Sequence, residues 1–350
     1  MAVNEDKLNE FLGKAIGDLG AAMSAVLVLI GDELGLYAAL ARERLTSTEL
    51  ADRTGTSERY VREWLANQAA GGYVEYDSDS DSYHLSEEQS LCLANPDGPV
   101  DLPGGYSVVE DLFHVKSRAV ENFRTGAGME WGEHHPCLFR GTERFFRAGY
   151  RAHLLDSWLP ALDGVVDKLA AGAKAADIGC GHGVTTILMA QAFPDSQFVG
   201  IDYHDESIAT AREHAAQAGV ANASFEVADA TGYRGGDYDL IAFFDCLHDM
   251  ADPGGAAAHA RRSLKPDGHC LLVEPFAGES LADNLNPVSR VFYGASSLIC
   301  VPVSLAQQGP ALGAQAGERR LAEVMVDDGG FSLFRRVAET PFNLVFEARP

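Results

Sequence analysis

Basic side chains are scarce: 27 Lys and Arg stand against 51 Asp and Glu in 350 residues, a formal charge of −24. Such a chain repels a phosphate backbone and gains nothing from counterion release, so nucleic acid is not an expected partner. Cysteine is sparse too. Cys92, Cys137, Cys180, Cys246, Cys270 and Cys300 form no C-x-x-C pair, a pattern that fits reduced thiols in a cytoplasmic protein rather than a disulfide framework. Long uncharged runs are missing as well. The longest near the N-terminus, Leu19 to Gly31, falls short of a membrane span of ~20 apolar residues. Acids rather than Lys or Arg precede it closely, so neither a membrane partner nor a signal peptide is expected. What is present is length: 350 residues exceed the usual domain of roughly 100–200, and a large domain with a smaller one is the natural expectation.

Between Asp6 and Leu40, Leu8, Phe11, Leu12, Ile16, Leu19, Met23, Val26 and Ile30 recur mostly at steps of three and four, as an amphipathic helix or helix pair requires. Helices of this kind often form dimer contacts. Next come a capping box at Thr46 and Glu49, a break at Gly55 and a second helix carrying Val61, Trp64 and Leu65. The runs "YVEY" and "YHLS", joined by acidic "DSDSD", read as two strands. Helix, turn, helix and β-ribbon spell a winged helix. That fold can bind DNA or serve as a packing and dimerising module. Residues 31–90 hold five Arg and no Lys against thirteen Asp or Glu, which favours the second use.

After Leu155 short apolar runs alternate with Ala-rich amphipathic segments, as parallel strands joined by crossover helices would. In "AADIGCGHGVTTILMAQAFPDSQFVGIDYH" a strand ends at Asp177, Gly179, Gly181 and Gly183 form a tight turn, a helix opens at Val184 and a second strand ends in Asp202. Glycines at such a turn let a ligand approach the backbone, and an acid ending the next strand can bind two ribose hydroxyls. The spacing D-x-G-x-G-x-G differs from the G-x-G-x-x-G of dinucleotide binders.

This arrangement resembles motif I of the class I S-adenosylmethionine-dependent methyltransferases. Later segments agree in order: "FEVADAT" for the third strand, "YDLIAFFDCLHD" for the fourth, "RRSLKPDGHCLLVEP" for a helix, turn and fifth strand, and "FSLFRRVAETPFNLVFEARP" for a closing antiparallel pair. With the winged-helix front, nearly the whole chain resembles a bacterial family of two-domain methyltransferases, sometimes labelled transcriptional regulators. The resemblance implies an α/β fold with a Rossmann-like seven-stranded sheet behind an N-terminal helical and winged-helix domain. Residues 1–100 would be that domain, 101–160 a helical linker and pocket segment, and 161–350 the methyltransferase domain with an insertion at 276–317. Carried over by residue, Asp177, Gly179, Gly181 and Gly183 would surround the methionyl part of S-adenosylmethionine. Asp202 would hold the ribose, Tyr203 would pack on adenine, Asp229 and Ala230 would meet the adenine edge, and Phe244 would offer its carbonyl to the methionyl ammonium.

His248 falls just past the fourth strand, the edge at which open α/β sheets bind ligands. An unperturbed imidazole pKa near 6.5 suits a general base. "LHDMADP" also resembles the HDW-x-D segment of O-methyltransferases, in which the histidine deprotonates a hydroxyl, although Met250 departs from that pattern. The alternative is a histidine that caps the next helix or positions Asp249. Asp245 and Glu274 are expected at the ends of strands four and five, able to orient the imidazole or a polar substrate. "EHHPC" gathers Glu133, His134, His135 and Cys137, but adjacent histidines diverge and no second Cys/His pair stands at metal-site spacing, so no metal is expected. Trp131, with His134 or His135, reads better as a pocket wall. The insertion 276–317 reads as a lid or binding loop, with Tyr293, Ser296 and Ser297 facing substrate or a dimer contact. The expected protein is a cytoplasmic homodimer that methylates a small-molecule acceptor, with His248, Asp249 and Glu274 as its catalytic residues. Its rival is a noncatalytic ligand-binding regulator that signals through the winged helix.

Overall fold

The apolar spacing of the first forty residues becomes, in the computed structural model, a helix α1 (Glu5–Glu33) and a short α2 (Leu36–Leu40). The structure describes residues 3–350. The break between the two falls at Gly35, whose φ of 68° is readily reached only without a Cβ. One edge of α1 packs inward through Ala25 and Val28. Its other face leaves Phe11, Ile16, Leu19, Met23 and Val26 each at least 58 % exposed. By length and composition α1 and the helical run Pro287–Ala306 are apolar enough to cross a membrane.

Helices α3 (Ser47–Thr54) and α4 (Glu58–Ala70) follow, with the expected capping box at Thr46 and Glu49 and a left-handed Gly55 between them. The ribbon is β1 (Glu75–Asp77) with β2 (Ser82–His84), antiparallel. It is shorter than "YVEY" and "YHLS" and lies closer to the turn. Val74 and Leu85, beyond its ends, are buried with Leu50, Trp64 and Leu65 in the core of this part. Four of the five arginines of residues 31–90 are already paired with acids: Arg44 with Asp77, Arg53 with Glu43, Arg59 with Glu63 and Arg62 with Glu58. The chain divides into two units, one of residues 1–113 with 136–149 and one of residues 114–135 with 150–350.

The second unit contains a seven-stranded sheet of β3 (Lys174–Ile178), β4 (Gln197–Asp202), β5 (Ala223–Val227), β6 (Tyr238–Phe244), β7 (Leu264–Pro275), β8 (Leu333–Glu339) and β9 (Asn343–Arg349). Their order is β5-β4-β3-β6-β7-β9-β8. Neighbours from β5 to β7 run parallel, and β9 is antiparallel to both β7 and β8. All seven residues of β6 are buried, as expected of a central strand covered on both faces. The turn expected at "KPDG" is instead a bulge within β7, where pairing jumps from Tyr238 opposite Leu264 to Leu240 opposite His269. The chain winds outward from β3 to β5 and then returns to lay β6 on the other side of β3. The carboxyl ends of β3 and β6 therefore flank the point at which an open sheet of this kind has a crevice.

Candidate active site

At the end of β3 the turn expected from three glycines is present, with positive φ at Gly179 (72°), Gly181 (51°) and Gly183 (79°). The three glycines do not serve the same purpose. A Cβ on Gly179 would lie 2.7 Å from Cys246 Sγ, and one on Gly183 would lie 2.6 Å from Phe225 Cε1. A Cβ on Gly181 would meet nothing within 4 Å. Two glycines thus serve packing against the protein itself, while the middle one faces open space.

Asp202 ends β4 and reaches back to this turn. Its Oδ2 accepts the Gly181 N–H at 2.9 Å and its Oδ1 the His204 N–H at 2.9 Å. Asp177 lies beneath, with Oδ2 accepting hydroxyls of Thr185 and Thr186 at 2.6 Å each. Its Oδ1 is buried and has no protein donor. Burial pushes the Asp177 carboxyl up to about 6 even though the two threonines oppose the shift. Farther along the same edge, Tyr203 is 45 % exposed. Exposed Asp229, just past β5, accepts the N–H and hydroxyl of Thr231, and Ala230 beside it is half-buried.

Phe244 ends β6, and Asp245 turns the chain with a φ of 52°. Its carboxylate accepts the Tyr150 hydroxyl at 2.9 Å and the Asn343 amide at 2.8 Å. Burial, and then the negative charge of Glu274, push Asp245 up to about 8. A 3-10 turn, Leu247–Asp249, carries His248. The helix after it is capped by Asp252, which accepts the Gly255 N–H, so helix capping does not account for the histidine. His248 is buried at 4 % exposure. Its Nδ1 lies 2.6 Å from Glu274 Oε2 and its Nε2 3.3 Å from Cys300 Sγ. Burial pulls the imidazole pKa down, but Glu274 and Cys300 outweigh it, and the net direction is upward. Asp249 is raised to about 7, first by burial.

The histidines of "EHHPC" diverge as expected. His134 is buried, with its ring 6.1 Å from that of Trp131, whereas exposed His135 stacks on His114 at 4.1 Å. The 3-10 turn Trp131–Glu133 comes up against the crevice edge, where a Cβ on Gly132 would stand 3.4 Å from His204 Nε2. Tyr293 is 36 % exposed. Ser296 is buried and accepts the Ala314 N–H, so it belongs to the scaffold of the insertion.

Residues 169–309 match a family model described as a methyltransferase domain. The chain carries a methyltransferase domain. Residues 22–95 match an Rv2258c-like winged HTH domain, and with it the two-part resemblance read from the motifs is borne out. A ubiquinone biosynthesis O-methyltransferase of Methylococcus capsulatus is 34 % identical over 100 residues, covering 28 % of this chain and 41 % of that one. Its counterpart in Acinetobacter baylyi is 31 % identical over 125 residues, 35 % of this chain and 48 % of that one. The chain therefore matches less than half the length of these curated relatives. Among solved structures, human N-acetylserotonin methyltransferase in complex with SAM aligns with a TM-score of 0.71 at 18 % identity, covering 100 % of this chain and 99 % of that one. The calicheamicin-biosynthesis methyltransferase in its SAH-bound form aligns at 0.68 and 17 %, covering 100 % of both. At such identities the likeness is one of fold.

In the methyltransferase domain, then, the strand ends bring together the glycine turn, Asp177, Asp202, His248 and Glu274. Sequence reasoning missed several residues that complete this edge. Thr185 and Thr186 were legible in principle, since two hydroxyls open the helix after the turn. Tyr150 and Cys300 carried no local signal, being 95 and 52 residues from their partners Asp245 and His248.

Proposed function

We propose that the methyltransferase domain binds S-adenosylmethionine at the carboxyl ends of β3, β4 and β6 and transfers its methyl group to a hydroxyl of a small molecule, with His248 as general base. The observation that carries this reading is the joint between Asp202 and Gly181, which locks an acid to the glycine turn at the sheet's switch point. The residues fit the cofactor. Asp202 has carboxylate lone pairs left for ribose hydroxyls, Gly181 leaves room at the turn, and the undonated Oδ1 of buried Asp177 favours a cation nearby. Tyr203 and Asp229 with Ala230 would take the adenine, and the Phe244 carbonyl the methionyl ammonium. When bound, S-adenosylmethionine supplies a methyl group on a positive sulfur, ready for displacement.

The chain's part is alignment and proton removal. Glu274 fixes His248 with Nδ1 toward the carboxylate, which leaves Nε2 as the basic nitrogen. For a hydroxyl to reach Nε2, the Cys300 thiol that now sits there must give way. Asp249 is the third acid of the group, and Trp131, His134, His135 and Tyr293 are candidates for the acceptor's surroundings. A cytoplasmic location and a homodimer joined through the exposed face of α1 complete the reading. The acid-paired arginines of the winged helix support a packing role over binding to nucleic acid.

Calorimetry with S-adenosylhomocysteine tests the cofactor half of the proposal, and absence of binding would end it. Incubating a metabolite extract with isotopically labelled methyl donor tests the acceptor half. A labelled oxygen-methyl product that requires His248 is the expected result, and label on carbon, nitrogen or sulfur would refute the hydroxyl assignment.

A further inference from the structure

Cys300 ends a π-helical turn, Ser296–Cys300, in the segment between β7 and β8, and packs with Phe292 and Ala314. Its Sγ stands 3.3 Å from His248 Nε2, while Glu274 Oε2 holds the opposite ring nitrogen at 2.6 Å. Glu274 is itself fixed, because its Oε1 accepts the Leu247 N–H at 2.9 Å. In the neutral ring, a carboxylate that keeps the proton on Nδ1 leaves the Nε2 lone pair aimed at the thiol. Carboxylate, imidazole and thiol in that order are the parts of an activated nucleophile, and thiolate formation governs cysteine reactivity.

Cys180, Cys246 and Cys270 lie in different surroundings. Cys246 Sγ donates to the Ile178 carbonyl and Cys180 Sγ to that of Gly181. Both are pushed up, first by burial. Cys270 is likewise pushed up by burial, and Cys137 reaches about 11 through burial and then the nearby Glu110. Cys92 is only half-buried and lies on the helix Glu87–Leu93. The titratable groups facing His248 besides Cys300 are Glu274, Asp245 and Asp249. Burial pushes Asp245 and Asp249 up, so it is the Glu274 carboxylate at Nδ1 that favours a proton received by the ring.

We propose that Cys300 is a covalent modification site for soft electrophiles, activated by His248 as base and Glu274 as the group that fixes that base. With iodoacetamide the step is a displacement. Nε2 takes the thiol proton, sulfur forms a bond to the methylene carbon, the carbon–iodine bond breaks and iodide leaves with its electron pair. The proton passes from imidazolium to solvent. The thioether then stands where the thiol faced Nε2. This inference holds whichever acceptor the domain methylates.

The test is timed iodoacetamide labelling of the full-length protein near neutral pH, with each cysteine followed by peptide mass mapping. Cys300 is expected to react about tenfold or more faster than Cys92, Cys180, Cys246 and Cys270, with a rate–pH profile that depends on His248. His248→Gln should slow Cys300 about tenfold and change its rate–pH profile, and Glu274→Gln, a second route should the first variant not fold, should act in the same direction. Failure of Cys300 to label, or labelling left unchanged by both the His248 and Glu274 variants, would overturn the proposal.

Discussion

Glu274 clamps His248 through both of its oxygens, directly at Nδ1 over 2.6 Å and indirectly through the N–H of neighbouring Leu247 over 2.9 Å. The two residues are 26 positions apart, Glu274 near the end of β7 and His248 on the 3-10 turn that follows the adjacent parallel strand β6. The clamp sets the tautomer of a buried ring, because a carboxylate can accept a proton from Nδ1 but cannot donate one.

Substitution at the clamp should separate binding from turnover. His248→Gln is expected to leave S-adenosylhomocysteine affinity within about threefold and to lower methyl transfer by about 10²–10⁴, the usual worth of a general base. Glu274→Gln should give a smaller loss of the same kind. Calorimetry and labelled-methyl incorporation, run side by side on the acceptor found by the screen, check both. Unchanged turnover in His248→Gln would make the residue structural.

At the other side of the crevice, Asp202→Ala removes the acceptor for two backbone N–H groups as well as the proposed ribose ligand. Bonds to a charged group are worth roughly 1.5–3 kcal/mol each, so cofactor affinity should fall at least about tenfold. Asp202→Asn should fall between wild type and Ala. Equal calorimetric affinity for all three proteins would remove the ribose assignment.

The glycine turn predicts an ordering of stabilities. In Gly179→Ala the new Cβ meets Cys246 Sγ at 2.7 Å with a φ of 72°, adding a clash to left-handed strain, and a loss of about 2–4 kcal/mol is expected. Gly181→Ala pays only for its φ of 51°, about 1–2 kcal/mol. Urea melts of the two variants measure the difference. A Gly181 variant less stable than the Gly179 variant would contradict the geometry.

Asp245 should make stability depend on pH. Burial and Glu274 hold its folded pKa near about 8 against 3.8 for the ordinary group, so the folded state keeps a proton that the unfolded state releases. The stabilising contribution is fully present below the ordinary value and is lost as pH rises toward about 8. Asn tolerates the residue's left-handed backbone and cannot ionise. Asp245→Asn should therefore lose less melting temperature than wild type between about pH 5 and pH 8, by a few degrees. Parallel pH dependence in the two proteins would show that Asp245 does not titrate in this range.

Local order in the chain determined much of this protein. Periodicity placed α1, the Thr46–Glu49 capping box fixed the start of α3, and the spacing of Asp177, Gly179, Gly181 and Gly183 specified the strand, turn and helix on which the crevice depends. Those features were readable because their physics acts over a few residues: a φ that only glycine reaches easily, a side chain that caps its own helix, an apolar face repeating every turn. Tertiary structure alone decided the rest. Tyr150 and Asn343 meet on Asp245, Glu274 reaches His248 across neighbouring strands, and Cys300 closes on the far nitrogen from an insertion that returns over the sheet. Such groups carry no mark in the chain, since a hydrogen bond between residues scores of positions apart depends on where the sheet's crossings deliver them and not on their neighbours in sequence.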